Sequence, residues 1–497
     1  MRPQAVLAQI LRAWLIAGAT AMAACANTGG IRPQARLLDP AKIDQGLAIK
    51  GAETNAAWPA SNWWLAWQDP PLDALIHQAL DDQPDLQAAQ ARVDLLVAQA
   101  RVAGATQFPQ LGAHSNLGRE RYPRYATPSP PGGYAVWSNS IGASLSYDLD
   151  LWGADRATWE AALDAAQASV ADLRNVQLTL ETAIVRSYIA LSLQRQWNEI
   201  DRAILDQALR AEDIVKQRLQ AGLSNQRELS QARTQVEIIS DELEQTNQEA
   251  ELARHELAIL AGAGPGFGDT LTPKPGMLET RVKLPPALPA EWIGHRPDVV
   301  AQRWRVESAS KGIKVARAAF YPNIDLLATA QLASATRFGG FFNFAADNAA
   351  GHRYGVAISL PLFTGGRLQG QYAAAVARYD AAVDDYNHTV LAAMQQVADQ
   401  VTSIQSLEQQ EQHVSQAVLE AEQAHRLAER GYRSGITEFM DVLATQTTLL
   451  RQQQQLAQIK ARHLAAWALL MQALGGMERN MAMASPDLPP EEASRAR

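Results

Sequence analysis

A chain of 497 residues has room for several domains or one large repeated unit, and 47% apolar residues suffices for an ordinary core. The net charge of −8, without a long like-charge block, leaves no basic stripe for phosphates and argues against a nucleic-acid partner. Nine scattered histidines and one cysteine offer no ligand spacing and no internal disulfide, so no metal and no cofactor is expected.

Residues 1–24 read as a signal peptide. Arg2 and Arg12 flank the start, and the apolar core from Ala13 to Ala23 is too short to span a bilayer. Ala23 and Ala24 lead into Cys25 in a pattern that resembles a bacterial lipobox. Lipidation of Cys25 is therefore expected, with an ordinary signal peptide and an incidental cysteine as the alternative. Ala26, rather than Asp, behind the cysteine fits sorting to the outer membrane. No later stretch has the length of uninterrupted apolar residues that a spanning helix needs, so any membrane crossing must use strands. In the segment 25–83, the cluster Trp58, Trp63, Trp64 and Trp67 is expected to pack the N-terminal segment rather than to bind a ligand.

From residue 84 the chain is written twice. "SYDLDLWG" (Ser146–Gly153) is echoed by "SLPLFTGG" (Ser359–Gly366), and 359 − 146 = 213. The same offset relates "QPDL" (Gln83–Leu86) to "RPDV" (Arg296–Val299), "FPQL" (Phe108–Leu111) to "YPNI" (Tyr321–Ile324), Gly222 to Gly435 and Gly262 to Gly475. Matched prolines and glycines are punctuation rather than composition, so two copies of one supersecondary unit are expected. The first repeat, 84–262, reads helix, strands at about 107–122 and 135–150, a long helix at 154–221 and a return helix at 223–261. The second, 297–475, reads helix, strands at 322–338 and 351–363, a long helix at 367–434 and a return helix at 436–474. A helix of about 68 residues would be roughly 100 Å long, and the shorter helices sum to a similar length. Stacked end to end, they would run alongside the long one. Between the copies, the proline-rich stretch 263–296 is expected to be an extended belt, and 476–497 a flexible tail.

Each strand alternates. Trp137, Asn139, Ile141, Ala143, Leu145 and Tyr147 share one face, mostly apolar; Ser138, Ser140, Gly142, Ser144, Ser146 and Asp148 share the other, small and hydrophilic. The second copy sets Tyr354, Val356, Ile358, Leu360 and Leu362 against Arg353, Gly355, Ala357, Ser359 and Pro361. One apolar and one hydrophilic face fit a soluble sandwich, or a lipid-facing wall whose serine side lines water. Four strands do not close a barrel, and open edges are not tolerated in lipid, so the second case requires several copies of the chain. Two copies would give a narrow eight-stranded barrel and three a twelve-stranded tube; three is preferred.

The motifs "WWLAWQDPPLDALI" (Trp63–Ile76), "SYDLDLWG", "HRPDV" (His295–Val299), "ARAAFYPNI" (Ala316–Ile324), "LPLFTGG" (Leu360–Gly366) and "GITEFMDVLATQTTLL" (Gly435–Leu450) together resemble the TolC/OprM-like outer-membrane efflux factors, specifically the lipidated NodT type. The resemblance covers nearly the whole mature chain. It implies a mainly α protein with a small β part: a homotrimer with a twelve-stranded outer-membrane β-barrel on a twelve-helix periplasmic α-barrel. It further implies a passive exit duct, anchored in outer-membrane lipid, that docks on a periplasmic adaptor (membrane fusion protein) and an inner-membrane efflux pump. Its tips, here Gly222-Leu223-Ser224 and Gly435-Ile436-Thr437, would touch the adaptor, while Ser138, Ser140, Ser144, Ser146 and Ser359 would face the lumen. Asp441 matches an acidic position that narrows the pore, and its repeat mate is Glu228; Ala444 stands where the best-known pattern has a second acid, which speaks against a double ring. The alternatives are a coiled-coil scaffold lipoprotein without channel activity and a protein-export duct of a type I secretion system. No GxSxG, HExxH or lysine-bearing phosphate loop is present, so an enzyme is not expected.

Overall fold

The structure, a computed structural model, describes residues 28–43, 62–125, 133–282, 290–335 and 349–476. The signal peptide, Cys25, Trp58, Pro285, Pro286, Pro289, parts of both strand-connecting loops and the tail after residue 476 lie outside the described residues.

In chain order the main elements are α1 (Pro70–Asp82), α2 (Pro84–Ala105), β1 (Gln110–Arg121), β2 (Ala135–Asp148), α3 (Ala154–Gln220), α4 (Gln226–Leu260), α5 (Pro297–Ala318), β3 (Asn323–Ala335), β4 (Ala350–Ser359), α6 (Arg367–Arg433) and α7 (Phe439–Ala473). The 213-residue offset holds at element ends: 367 − 154 = 213 and 433 − 220 = 213 for the long helices, and 439 − 226 and 473 − 260 give the same figure. Neither long helix contains proline, and each places a basic residue in its last turn, Arg218 and Arg433, where the helix dipole favours positive charge. Among the described residues, no helix is long and apolar enough to cross a membrane.

Two compact units divide the chain, and the long helices contribute to both. The first holds the sheet. Its strands are ordered β1-β2-β3-β4 and are antiparallel throughout, so β2 and β3 join the two repeats. At the end of β2, Trp152 stacks on Tyr321 with ring centroids 4.6 Å apart and donates to Pro322 O at 2.7 Å. Gly153 and Gly366 turn both corners with φ of +75° and +86°, a region open to glycine at no steric cost. Asp150 then accepts from the Arg156 backbone N–H at 2.9 Å, which satisfies one free donor of the first turn of α3. The strand β4 ends at Ser359 rather than near 363, because Pro361 has no N–H to give to a ladder.

The second unit is helical, with Leu72, Ile76, Tyr188, Leu257, Leu464 and Met471 in its core. Helix α1 was not expected from the sequence. Asp69 caps it, accepting from Leu72 N at 3.2 Å, and Pro70 and Pro71 occupy its first positions. Asp69 also accepts from the Tyr188 hydroxyl at 3.0 Å, which in turn accepts from Lys274 N at 3.1 Å. Trp63, Trp64 and Trp67 are buried, and Trp63 packs edge-on against the other two. Trp467 of α7 joins them, its centroid 5.6 Å from that of Trp63.

The shorter helices meet end to end, and the residue before each helix-opening proline makes the joint. Gln83 donates to Ile259 O of α4, and its repeat mate Arg296 donates to Ala473 O of α7 at 2.7 Å. Arg296 is buried and also forks onto Asp298 through two nitrogens. The stretch between the repeats is not a plain extended belt. Its described part includes short helical turns at Pro265–Gly268, Met277–Glu279 and Ala290–His295.

Candidate functional site

Two surfaces carry the residues singled out in the sequence: the faces of the sheet in the first unit and the helix turns of the second. Register settles the faces. Leu111, Leu145, Ala328 and Tyr354 form one cross-strand row, and Tyr147, Leu326 and Val356 form another. On the opposite face, Gly112, Ser144, Thr329 and Arg353 form a row, as do His114, Gly142, Gln331 and Gly351. Ser138, Ser140, Ser144, Ser146 and Ser359 all fall on this second, hydrophilic face. Leu327, between Ser146 and Gly355, and Val136, opposite Glu120, are apolar exceptions on it.

Among the described residues the apolar face stays largely uncovered: Leu111 is 76% exposed, Val356 60% and Ile358 68%. Among the described residues, the outer ladders of β1 and β4 have no partner strand. At one end of the apolar face, the Arg119 guanidinium lies 5.7 Å from the centre of the Trp137 ring, a cation–π contact of interfacial type. A sheet with a bare apolar face and two bare edges is one wall of something larger.

Both helix turns are built on a left-handed glycine, Gly222 and Gly435, each with φ +72°. After Gly222, Leu223 N donates back to Arg218 O at 2.8 Å, the long return bond of a helix-terminating Schellman turn. Asn225 caps α4 by accepting from Glu228 N at 3.1 Å. The Glu228 carboxylate receives the Ser224 hydroxyl at 2.5 Å and the Asn225 amide at 2.7 Å. Those bonds, Ser224 first, hold the carboxyl below its ordinary range, with Arg218 and Arg227 assisting. After Gly435, Ile436 N donates to Gly431 O, the Thr437 hydroxyl donates to Ala428 O, and Asp441 accepts from Glu438 N at 3.2 Å. Glu228 and Asp441 therefore occupy equivalent positions in the first turns of α4 and α7 and are engaged at the helix starts. The expected starts at 223 and 436 move to 226 and 439, because Asn225 and Glu438 hold the capping positions. Leu223 and Ile436 stay exposed, at 70% and 80%.

Sequence reasoning missed two features of this unit. One is a cavity of about 1000 Å³ beside the first turn, lined from α3, α4 and α7 by residues including Ala211, Val215, Gln231, Leu443 and Thr447. The other is a buried carboxylate, Asp201, at the meeting of the same three helices. Nothing in a helical polar pattern separates an inward aspartate from an outward one. Among the described residues, no group of three His, Cys, Asp or Glu side chains is placed to hold a metal ion.

The sequence profile described as "Outer membrane efflux protein" matches residues 75–263 and 288–476, again one segment per repeat. The chain belongs to this family. It is 40% identical over 356 residues to the fusaric acid resistance protein FusA of Burkholderia cepacia, a match covering 71% of this chain and 67% of the relative. It is 30% identical over 482 residues to the pyoverdine export outer membrane protein OpmQ of Pseudomonas aeruginosa, covering 93% and 96%. Among solved structures, the outer membrane protein VceC of Vibrio cholerae superposes with a TM-score of 0.77 at 32% identity, covering 84% of this chain and 99% of that one. The open sheet and the doubled long helices are thus those of a TolC-like outer-membrane channel.

Proposed function

We propose that the chain is the outer-membrane exit duct of a tripartite efflux system, a homotrimer that passively conducts small toxic molecules handed on by a periplasmic adaptor and an inner-membrane pump. The observation that carries this reading is the four-stranded sheet with one apolar face, one serine-rich face and two unpaired edges. In lipid each unpaired backbone group costs several kcal/mol, so the edges must be closed by further copies of the chain. Three copies give twelve strands, wide enough for a water-filled lumen lined by Ser138, Ser140, Ser144, Ser146 and Ser359. Lipidation at Cys25 adds an anchor to the outer membrane. The exposed Leu223 and Ile436, on turns fixed by Gly222 and Gly435 and flanked by Ser224 and Thr437, fit the adaptor contact. Glu228 and Asp441, repeated around a threefold axis, would add negative potential at that constriction.

The named functions of relatives, fusaric acid resistance and pyoverdine export, favour small organic cargo over secreted protein. A scaffold would share the helices but has no use for a serine-faced sheet. Two measurements test the reading: the mass of the detergent-extracted protein, expected to be three chains, and conductance in a planar bilayer. A stable monomer, or a trimer that passes no current, would sink it. Replacing Glu228 and Asp441 together with alanine is expected to lower cation selectivity; unchanged selectivity removes them from the pore.

A further inference from the structure

Charge is spread unevenly over the hydrophilic face of the sheet. Glu120 lies near one end of β1, and Asp148 and Asp325 stand opposite each other at the ends of β2 and β3 that join the helices. Between these, Arg353 of β4 is the one permanent charge on that face among the described residues. No carboxylate stands in its cross-strand row or in the row on either side.

The surroundings of Arg353 leave its guanidinium free. It is exposed, and its neighbours along β4 on the same face are Gly351 and Gly355. A Cβ on Gly355 would meet nothing within 4 Å, so no side chain fences the arginine on that side. Across the ladder stands Thr329, with Gln331 diagonal to Arg353, within reach of a long side chain. In the row of Gln331, Gly142 leaves room for His114, whose Cε1 would lie 3.1 Å from a Cβ added there. A guanidinium with uncommitted donors, beside a hydroxyl, an amide and an imidazole, is suited to planar carboxylates, which it can hold through both oxygens.

The arginine does not belong to the pattern shared by the two repeats. Its mate is Ser140, since 353 − 213 = 140. An exposed charge without a partner contributes little to holding a sheet together, so stability does not account for the departure. Its height suggests a use. Arg353 lies 359 − 353 = 6 residues from the helix-side end of β4 at Ser359. That is about 20 Å along a strand. At a barrel tilt of about 40° the rise is about 15 Å, near the middle of an apolar band about 25 Å tall.

We propose that Arg353 is a cargo-selecting residue of the duct: repeated in each chain of the trimer, it forms a positive belt midway up the lumen that admits small organic anions, carboxylates in particular, ahead of cations. The inference rests on the reading of the chain as a trimeric duct. The belt opposes in sign the acids Glu228 and Asp441, so its effect is read as the difference between variant and parent.

The test is the reversal potential of the full-length trimer in planar bilayers across a gradient of sodium benzoate, with uptake of benzamide into liposomes as the uncharged control. Arg353→Gln is expected to lower the permeability of benzoate relative to sodium about threefold at about 0.1 M salt, the scale of a few unit charges felt across a water-filled lumen. Arg353→Lys should keep most of the parent's preference, Arg353→Glu should reverse it, and benzamide uptake should be the same in all. The difference should fade at about 1 M salt, where the screening length falls from about 10 Å to about 3 Å. A change that survives such salt would mean an altered pore shape and would overturn the belt. If the parent conducts and Arg353→Gln, folded and trimeric, keeps its permeability ratio, the belt is refuted while the duct stands. A parent trimer that passes no current removes the duct reading and the belt with it.

Discussion

Gly142 shows how much the second copy of a residue can differ from the first. A Cβ on Gly142 would lie 2.8 Å from Ala330 O, 2.9 Å from the Gln331 Cβ and 3.1 Å from His114 Cε1. Its repeat mate Gly355, on edge strand β4, would meet nothing within 4 Å. Gly142→Ala should therefore cost about 1–3 kcal/mol through overpacking against a backbone that cannot yield. Gly355→Ala should be neutral or slightly stabilising, since it only restricts the unfolded chain. Thermal dissociation of the two variant oligomers, compared with the parent, checks the contrast. Asp164 of α3 carries a second residue-scale prediction. Its Oδ2 is buried without a hydrogen-bond partner, and burial pushes the carboxyl from 3.8 to about 6; Lys311 opposes the shift, and Glu307 and Glu160 add to it. Because the folded-state value is raised, the protonated form is favoured in the native protein. That contribution is complete below pH 3.8 and is lost as pH rises through about 6. Asp164→Asn should flatten this part of the stability–pH profile and leave the variant more stable than the parent at pH 7. A profile with the parent's slope would overturn the assignment. The repeat mate is Ala377, so the effect belongs to one helix pair only.

At the scale of elements, the two helix turns look alike in sequence and differ in construction. In the first, the Asn225 side chain reaches forward and accepts from Glu228 N at 3.1 Å. In the second, a capping box adds a backward bond: the Asp441 side chain accepts from Glu438 N at 3.2 Å, while the Glu438 side chain faces the Asp441 backbone N–H. Asn225→Ala should cost about 1 kcal/mol and speed amide exchange at Glu228, inside the first turn of α4. Asp441→Ala should instead speed exchange at Glu438, the amide just ahead of α7, because that is the donor it releases. Exchange that rises at the same helix position in both variants would refute the distinction. This pair also marks what was legible in the sequence. The repeat, the long helices and the faces of the strands could be read because glycine, proline and period-two alternation act locally. The positions of Gly222 and Gly435 were legible for the same reason. Helix α1 was harder: Asp69 and the two prolines behind it signal a helix start, but its 13 residues hold too few turns to build a long periodic run. The buried Asp201 and the joint made by Arg296 depend on which residues meet across helices far apart in the chain, and no local pattern encodes that.

For the whole molecule, the decisive question is which face of the sheet meets lipid, and one adjacent pair of residues can ask it. Ile141 lies mid-strand on the apolar face, in the row with Ser115 and Leu332; Ser140 lies beside it on the hydrophilic face, in the row with Asn116 and Ala333. Among the described residues neither position packs against a second sheet, so a soluble protein would accept arginine at either with little cost. A membrane wall would not. Arginine at position 141 would stand in hydrocarbon, at a cost of about 2–4 kcal/mol per chain near the midplane, multiplied by every copy in the barrel. Arginine at position 140 would stand in water and add one positive charge per chain to the lumen. Ile141→Arg is therefore expected to prevent insertion into lipid vesicles, while Ser140→Arg inserts, conducts and shifts selectivity toward anions. The opposite ranking would mean that the serine face is the one turned to lipid, and equal insertion of both variants would mean that the sheet does not enter the membrane. The same logic explains why closure of the edges and polarity of the faces are one requirement: strands can meet lipid on their apolar side only where each outer ladder has found another copy of the chain.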